Sequence, residues 1–236
     1  MIFVSIILPA LAPTDDFCRC IHSIRAALSR ALTFEVICVV PDVDVFAAFA
    51  DKDVHIIKED VAAIYGAMNL GCRESTGRYI YFIGQDDILL PSAARALCRG
   101  GACNADIILA DVFWGPSGIF RNSSDSGVLV WRNWCHQGIF YNRLKFMDLV
   151  GAYPLKYPVQ ADHYANIVFG KNPDVLLFKH EECVAWYASD GFSTRVVDTA
   201  FRQDFPALVR RHFGIFAYIT VVLRRFLLKI YRRAVK

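Results

Sequence analysis

The sequence predicts an α/β fold in which helices cover both faces of a mostly parallel β-sheet. In the first half of the chain, short apolar runs alternate with segments whose apolar residues recur at helical spacing. These runs are apolar at nearly every position, which is typical of strands buried on both faces. Ligands of such sheets bind beyond the carboxyl ends of the strands, so polar residues that follow a strand directly are candidates for a site.

The predicted elements can be placed in order. The first strand ends at Pro9, and a helix capped by Thr14 or Asp15 follows it. Later strands are predicted at residues 34–40, 54–57, 78–83, 105–112, 175–178 and 183–187. Later helices are predicted at residues 64–73, 91–98, 142–150 and 160–169.

Charge is distributed unevenly along the 236 residues. Residues 200–236 contain nine Lys or Arg and one Asp, a net charge of +8, which leaves −5 for residues 1–199. We therefore expect a domain at residues 1–199 and a basic amphipathic helical tail at residues 200–236. An acidic body with basic residues beside aliphatic ones argues against nucleic-acid binding.

The tail favours a membrane surface as its partner. Phe213–Leu223 is apolar for eleven residues, too few to span a bilayer of roughly 30 Å as a helix. Basic residues then alternate with apolar ones, a pattern suited to an anionic headgroup layer. The alternative is a C-terminal helix that packs on the body and exposes its basic face to solvent.

Two adjacent carboxylates, Asp86 and Asp87, follow Gln85 just beyond the predicted strand 78–83. Adjacent carboxylates repel each other unless cations or hydrogen-bond donors compensate them, and Mg²⁺ or Mn²⁺ prefers such oxygen ligands. Mg²⁺ is usually held by one or two carboxylates together with substrate phosphates. Alternatively, one aspartate caps the helix that begins near Pro91. The position at the end of a strand leaves both interpretations open.

Several motifs occur in a recognisable order. They are Ile64-Tyr65-Gly66-Ala67-Met68-Asn69-Leu70-Gly71, Thr76-Gly77-Arg78-Tyr79-Ile80, Gln85-Asp86-Asp87, Cys135-His136-Gln137-Gly138-Ile139-Phe140-Tyr141, Gly151-x-Tyr153, Ala161-Asp162 and Gly191-Phe192-Ser193. Their order and spacing resemble the family 2 glycosyltransferases of the GT-A fold. Each motif is weak alone, but together they extend the resemblance over roughly residues 2–195.

The resemblance implies an inverting glycosyltransferase that uses a nucleotide-sugar donor and Mn²⁺ or Mg²⁺ as cofactor. It implies that Asp87 ligates the metal and that Asp86 contacts the ribose or the metal's water shell. Asp162 matches the general base for the acceptor hydroxyl, although Ala161 stands where relatives often have Glu. The donor-binding positions that it implies are Pro9, Asn69, Gln85, Asp86, His136 and Gln137.

The resemblance also suggests partners and location. A UDP-sugar is the family's usual donor, and a glycan or lipid-linked sugar is the usual acceptor. We therefore expect a cytoplasmic protein, peripheral on the inner face of the cell membrane. Without the family context, Asp162 is equally well explained as a helix cap and His136 as a core histidine.

Two departures from the family pattern concern the donor. Val40-Pro41 occupies the stretch where relatives have an Asp that contacts uracil, and only Asp42 is near. Residues 59–63 replace a Glu-Pro-Asp-x-Gly motif. One alternative is therefore a catalytically degenerate, membrane-associated partner in a polysaccharide assembly complex. A sugar nucleotidyltransferase or a dehydrogenase is disfavoured, because no glycine-rich loop follows the first strand.

Overall fold

A computed structural model describes residues 2–188 and 196–234 of the chain. The strands of the described residues are β1 Val4–Pro9, β2 Phe34–Val40, β3 Val54–Lys58, β4 Tyr79–Phe82, β5 Ile88–Leu89, β6 Ile107–Trp114, β7 Ile119–Phe120, β8 Ile139–Asn142 and β9 Leu177–Tyr187. The helices are α1 Asp15–Leu28, α2 Val43–Phe46, α3 Ile64–Glu74, α4 Ser92–Ala102, α5 Arg143–Leu149, α6 Ala161–Gly170 and α7 Thr199–Ala234. The predicted alternation of strands and helices is confirmed, and Thr14 caps α1.

All nine described strands join one sheet in the order β3-β2-β1-β4-β8-β6-β9-β5, with β7 paired to β6. Strands β1 to β4 are parallel to one another, and β6 is parallel to β9. Strand β8 is antiparallel to both β4 and β6, so β6 points the same way as β4. The carboxyl ends of β1, β4, β6 and β9 therefore meet at one edge of a mixed sheet.

The alternating side chains of β4 divide the interior into two layers. Tyr79 and Tyr81 pack into the cluster under α1 and α4, whereas Ile80 and Phe82 pack into the cluster under α3, α5 and α6. Both clusters are built from fully buried side chains, so the sheet is covered on both faces as the apolar strands predicted.

A buried carboxylate fixes the start of β4. Glu35 of β2 accepts hydrogen bonds from the Ser5 hydroxyl at 2.6 Å and from the Thr76 backbone N–H at 2.8 Å. The Thr76 hydroxyl adds a third bond at 2.9 Å, and the Gly77 N–H donates to Ser5 Oγ at 2.8 Å. A Cβ atom on Gly77 would lie 2.6 Å from the Ser5 nitrogen, which explains the glycine after Thr76.

Helix α7 is a hairpin of two arms. Gly214 breaks it with a left-handed φ of 85°, and the second arm folds back on the first. Val221 is buried against Val209, and the Arg225 guanidinium lies 5.7 Å from the centre of the Phe205 ring. The first arm packs into the body, and the second exposes apolar side chains. The basic tail is helical as expected, up to Ala234 at the end of the described residues.

Two details differ from the sequence prediction. The segments 175–178 and 183–187 form one strand, β9, whose register shifts beside Asp111 of β6. The tail was predicted to be too short to span a bilayer, yet Thr199–Leu228 is long and apolar enough to cross one by length and composition. The break at Gly214 divides that stretch. The predicted domain boundary at residue 199 remains a prediction, because the first arm packs on the preceding residues.

We predict that Glu35→Ala lowers the free energy of unfolding by about 2 kcal/mol, because it removes the acceptor of the buried Ser5 hydroxyl and of two donors on exposed Thr76. Urea titration of the wild type and the variant measures the effect. Glu74→Ala, at an exposed position at the end of α3, is the matched control and should change stability by less than about 0.5 kcal/mol. Equal stability of the two variants would contradict this account of the network.

Candidate active site

Asp87 lies buried at the carboxyl edge of the sheet, in the loop between β4 and β5. Its Oδ2 accepts hydrogen bonds from the Gly84 N–H at 3.0 Å and from Gln137 Nε2 at 3.1 Å. Its Oδ1 accepts from the Ala188 N–H at 2.9 Å, just beyond the end of β9. Burial nevertheless raises the pKa of Asp87 to about 7. The donors hold the carboxylate in place but do not fully offset its desolvation.

The two residues before Asp87 differ in their surroundings: Gln85 is hydrogen-bonded to a neighbouring loop, and Asp86 is exposed. Gln85 Oε1 accepts from the Leu11 backbone N–H at 2.7 Å and so fastens this loop to the loop after Pro9. Pro9 itself ends β1 in register with β2. Asp86 is exposed, and a Cβ atom on Gly84 would lie 2.8 Å from its Oδ1 and 3.0 Å from Asp87 Oδ2. Both carboxylates therefore border the backbone of Gly84.

Asp162 occupies the first turn of α6, near the same edge of the fold. Its Oδ1 accepts a hydrogen bond from the Tyr65 hydroxyl at 2.9 Å, and its Oδ2 accepts from Asn133 Nδ2 at 2.6 Å. Burial raises the pKa of Asp162 to about 6, and these hydrogen bonds limit the rise. The carboxyl group is thus mostly ionised at neutral pH but still basic enough to take up a proton.

One short segment, residues 133–137, contacts both carboxylates. Asn133 donates to Asp162 at its beginning, and Gln137 donates to Asp87 at its end. The Tyr81 hydroxyl of β4 donates to the Gln137 carbonyl at 2.7 Å and holds this end of the segment over the sheet. The structure therefore places the two sequence-predicted carboxylates on either side of one fixed segment, which we call the bridging segment.

An aromatic cluster supports the bridging segment from below. The His136 ring stacks on Phe82 at 5.0 Å, and its Nε2 lies 3.0 Å from the Tyr153 hydroxyl. Burial lowers the pKa of His136 to about 4, so the ring is neutral. Asn69 bonds Tyr153 through both its amide atoms, at 2.7 and 3.0 Å. The polar atoms of His136 and Asn69 described here thus position Tyr153, and donor contact by either residue stays a prediction.

The arrangement fits a divalent cation. Donors from the described residues occupy three of the roughly four lone-pair positions of the Asp87 carboxylate, two on Oδ2 and one on Oδ1. A cation bound to this carboxylate would compensate the buried charge that now raises the Asp87 pKa. Among the described residues, no group of three or more His, Cys, Asp or Glu side chains is arranged to hold a metal. The set therefore suits Mg²⁺ or Mn²⁺ that is also bound by substrate phosphates.

Some sequence predictions find other roles in the structure. Asp42 caps α2 by accepting from the Asp44 N–H at 3.0 Å. Gly191-Phe192-Ser193 lies outside the described residues. Sequence reasoning missed Asn133, because its contact with Asp162 spans 29 positions and belongs to no local pattern.

The fold is similar to that of TarS from S. aureus. The structure of TarS 1-349 in complex with UDP-GlcNAc matches with a TM-score of 0.67 at 13% sequence identity over 88% of this chain. A second structure of TarS 1-349 gives a TM-score of 0.65, and this chain covers 63% of its length. This likeness and the strand-end carboxylates define a mixed α/β protein with the GT-A fold of glycosyltransferases.

Sequence comparisons then identify the family. The profile described as Glycosyl transferase family 2 matches residues 5–155. A PGL/p-HBAD biosynthesis glycosyltransferase of Mycobacterium bovis is 30% identical over 93% of this chain and 90% of that protein. A protein of the same description from Mycobacterium tuberculosis matches equally well. The chain belongs to glycosyl transferase family 2, and the resemblance of its motifs to that family is confirmed.

We predict that Tyr65→Phe raises the pKa of Asp162 above its value of about 6, because it removes a donor that stabilises the carboxylate. The carboxyl ¹³C chemical shift of Asp162, followed by NMR across pH 4–9, measures the change. Tyr157→Phe removes a hydroxyl that donates to Asp204 and serves as the control. An unchanged or lowered pKa in Tyr65→Phe would show that this hydrogen bond does not tune Asp162.

Proposed function

We propose that this glycosyltransferase inverts the anomeric centre of a nucleotide-sugar, by family default a UDP-sugar, as it transfers the sugar to a hydroxyl of a glycan or lipid-linked acceptor. The observation that carries the proposal is the pair of carboxylates, buried Asp87 and half-buried Asp162, held by opposite ends of the bridging segment. Asp87 is suited to bind the donor's diphosphate through a metal, and Asp162 is suited to take the proton of the acceptor hydroxyl.

Asp162 is proposed as the general base. The acceptor hydroxyl gives its proton to a carboxylate oxygen of Asp162 while the hydroxyl oxygen bonds to the anomeric carbon. The bond from that carbon to the diphosphate breaks on the opposite face, so the configuration inverts. A base is most effective when its pKa lies near the working pH, and the pKa of about 6 meets this condition. Tyr65 and Asn133 keep the carboxylate oriented throughout the step.

Asp87 is proposed as the metal ligand, with Asp86 beside it at the surface. When bound, Mg²⁺ or Mn²⁺ neutralises the charge that develops on the departing diphosphate. Gln137, Gly84 and Ala188 hold Asp87 in position for this role. Gln85 holds the loop after Pro9 against the same edge, which supports a donor pocket that both loops line.

A membrane surface is the proposed location of the acceptor. The second arm of α7 exposes a run of large apolar side chains: Ile215, Phe216, Ile219, Val222, Leu223, Phe226, Leu227, Leu228, Ile230 and Tyr231. Soluble proteins rarely expose a contiguous patch of this kind unless it binds a partner or a membrane. The sequence of this arm also includes Lys229, Arg232 and Arg233, and basic residues suit anionic headgroups. This pattern supports peripheral membrane binding, which we propose to occur at the inner face of the cell membrane.

We predict that Asp162→Asn lowers kcat/KM by roughly 10²- to 10⁴-fold while Mn²⁺-dependent UDP binding persists, because only the base is lost. Asp87→Asn should instead abolish the Mn²⁺-dependent part of UDP binding. A screen of UDP-, GDP- and dTDP-sugars supplies the donor for the rate measurement, and calorimetry measures UDP binding. Asp148→Asn, at an exposed position in α5, is the control for loss of one aspartate.

The wild-type rate should fall as the pH drops through about 6, because protonated Asp162 cannot accept the proton. Near wild-type turnover by Asp162→Asn would remove Asp162 from the mechanism. Persistent nucleotide binding without turnover by the wild type on any donor would favour the non-catalytic partner.

We predict that the double variant Phe226→Ser/Leu227→Ser binds phosphatidylglycerol vesicles at least tenfold more weakly than the wild type. Both side chains are exposed in the protein, and the substitutions remove apolar surface that the membrane would bury. Co-sedimentation at 0.1 M salt measures the binding, and neutral phosphatidylcholine vesicles should bind less. Leu144→Ser removes an exposed leucine of α5 and is the matched control. Equal vesicle binding by all three proteins would contradict membrane association through this arm.

A further inference from the structure

An aromatic surface beside Asp87 is not used by the chemistry proposed above. Trp114, Phe120 and Tyr187 pack together against buried Val112 and Cys135. The Trp114 and Phe120 ring centres are 5.1 Å apart, and the Trp114 and Tyr187 ring centres are 4.9 Å apart with the rings nearly perpendicular. The three rings are half-buried, so they retain exposed surface. We call this group the aromatic shelf.

The strand pairing builds the shelf from three strands. Trp114 of β6 is in register with Tyr187 of β9, while β7 pairs antiparallel with β6 and brings Phe120 alongside. The β6–β7 connection turns at Gly115 and Gly118, whose φ angles of 43° and 88° are left-handed. This tight turn returns Phe120 to the face of the sheet on which Trp114 lies.

The shelf is continuous with the candidate active site on two sides. Tyr187 directly precedes Ala188, whose N–H donates to Asp87 Oδ1 at 2.9 Å. Cys135, which packs under the shelf, belongs to the bridging segment, and its Sγ donates to Gln137 Oε1 at 3.6 Å. Gln137 in turn donates to Asp87. Tyr187 is therefore adjacent in sequence to one donor of the proposed metal ligand, and the shelf reaches a second donor, Gln137, through Cys135.

The opposite face of the same strands provides a contrast. Phe113, Ile119 and Trp186 are the register partners on that face, with 40%, 47% and 38% of their surfaces exposed. They are comparable in size and apolar character to the shelf residues but point away from Cys135 and the bridging segment. The shelf thus differs from Phe113, Ile119 and Trp186 in its proximity to Asp87.

We propose that the aromatic shelf is the acceptor subsite, which binds the flat face of a ring on the acceptor, either a pyranose or an aromatic group. This inference rests on the proposed function, since it takes the reaction to occur at Asp87 and Asp162. Half-buried aromatic rings offer apolar faces that stack on other rings and on the C–H face of sugars. The Arg132 guanidinium lies 4.7 Å from the Phe120 ring centre, and one of its nitrogens donates to the Arg121 carbonyl at 2.7 Å, which holds the exposed guanidinium at the rim of the shelf.

Saturation-transfer NMR with phenyl β-D-glucopyranoside and methyl β-D-glucopyranoside tests the shelf. The wild type should transfer saturation to the ring protons, and the two probes distinguish an aromatic ring from a pyranose as the bound group. Trp114→Leu keeps an apolar side chain but removes the ring, and it should weaken probe binding about tenfold. Phe113→Leu makes the same change one residue earlier on the opposite face and should leave binding unchanged.

Two results would overturn the proposal. The first is absence of saturation transfer to both probes in the wild type, and the second is equal binding by Trp114→Leu and the wild type. Mn²⁺-dependent UDP binding, measured by calorimetry on the same proteins, should be unchanged in both variants. Absence of Mn²⁺-dependent UDP binding by the wild type would instead contradict the proposed function. Failure of the shelf proposal can therefore be distinguished from failure of the proposed function.

Discussion

The hydrogen bonds between the bridging segment and the carboxylates of Asp87 and Asp162 are the constraint on which the site depends. Asp87 and Asp162 belong to separate elements, a strand-end loop and a helix, and nothing in either element fixes one relative to the other. Asn133 and Gln137 supply that relation, because each donates to one carboxylate from a segment only five residues long. Burial alone would favour neutral carboxyl groups, and the donors to each carboxylate, led by the Ala188 N–H at Asp87 and the Tyr65 hydroxyl at Asp162, limit the rise of the two pKa values.

The rest of the fold serves to hold this segment in place. The mixed sheet brings the ends of β4, β6 and β9 to one edge, and antiparallel β8 runs back between β4 and β6, so that the bridging segment that precedes it crosses that edge. Below it, the His136 ring stacks on Phe82, and the Tyr153 ring packs edge-on against both. The shelf extends the same edge outward and adjoins Asp87, the proposed metal ligand, through Ala188 and Gln137.

Much of the fold could be predicted from the sequence because its parallel strands are apolar throughout and its helices are periodic. The Gln85-Asp86-Asp87 loop and Asp162 were found because short motifs carry them. Asn133 and the shelf were not, since their contacts join distant parts of the chain and depend on strand register. Asn69 and His136 matched motifs, but their polar atoms bond Tyr153, which local sequence could not indicate. The break at Gly214 could not be predicted either, because the helical pattern of the sequence continues through it.

The central claim is that Asp87 binds a metal together with the donor diphosphate while Asp162 faces the acceptor. Anomalous diffraction from crystals grown with Mn²⁺ and UDP tests this directly. The account predicts one Mn²⁺ peak that contacts Asp87 Oδ1 and the diphosphate oxygens, with Asp162 outside the coordination shell. A UDP bound without metal at this edge, or a metal held by Asp162 rather than Asp87, would contradict it.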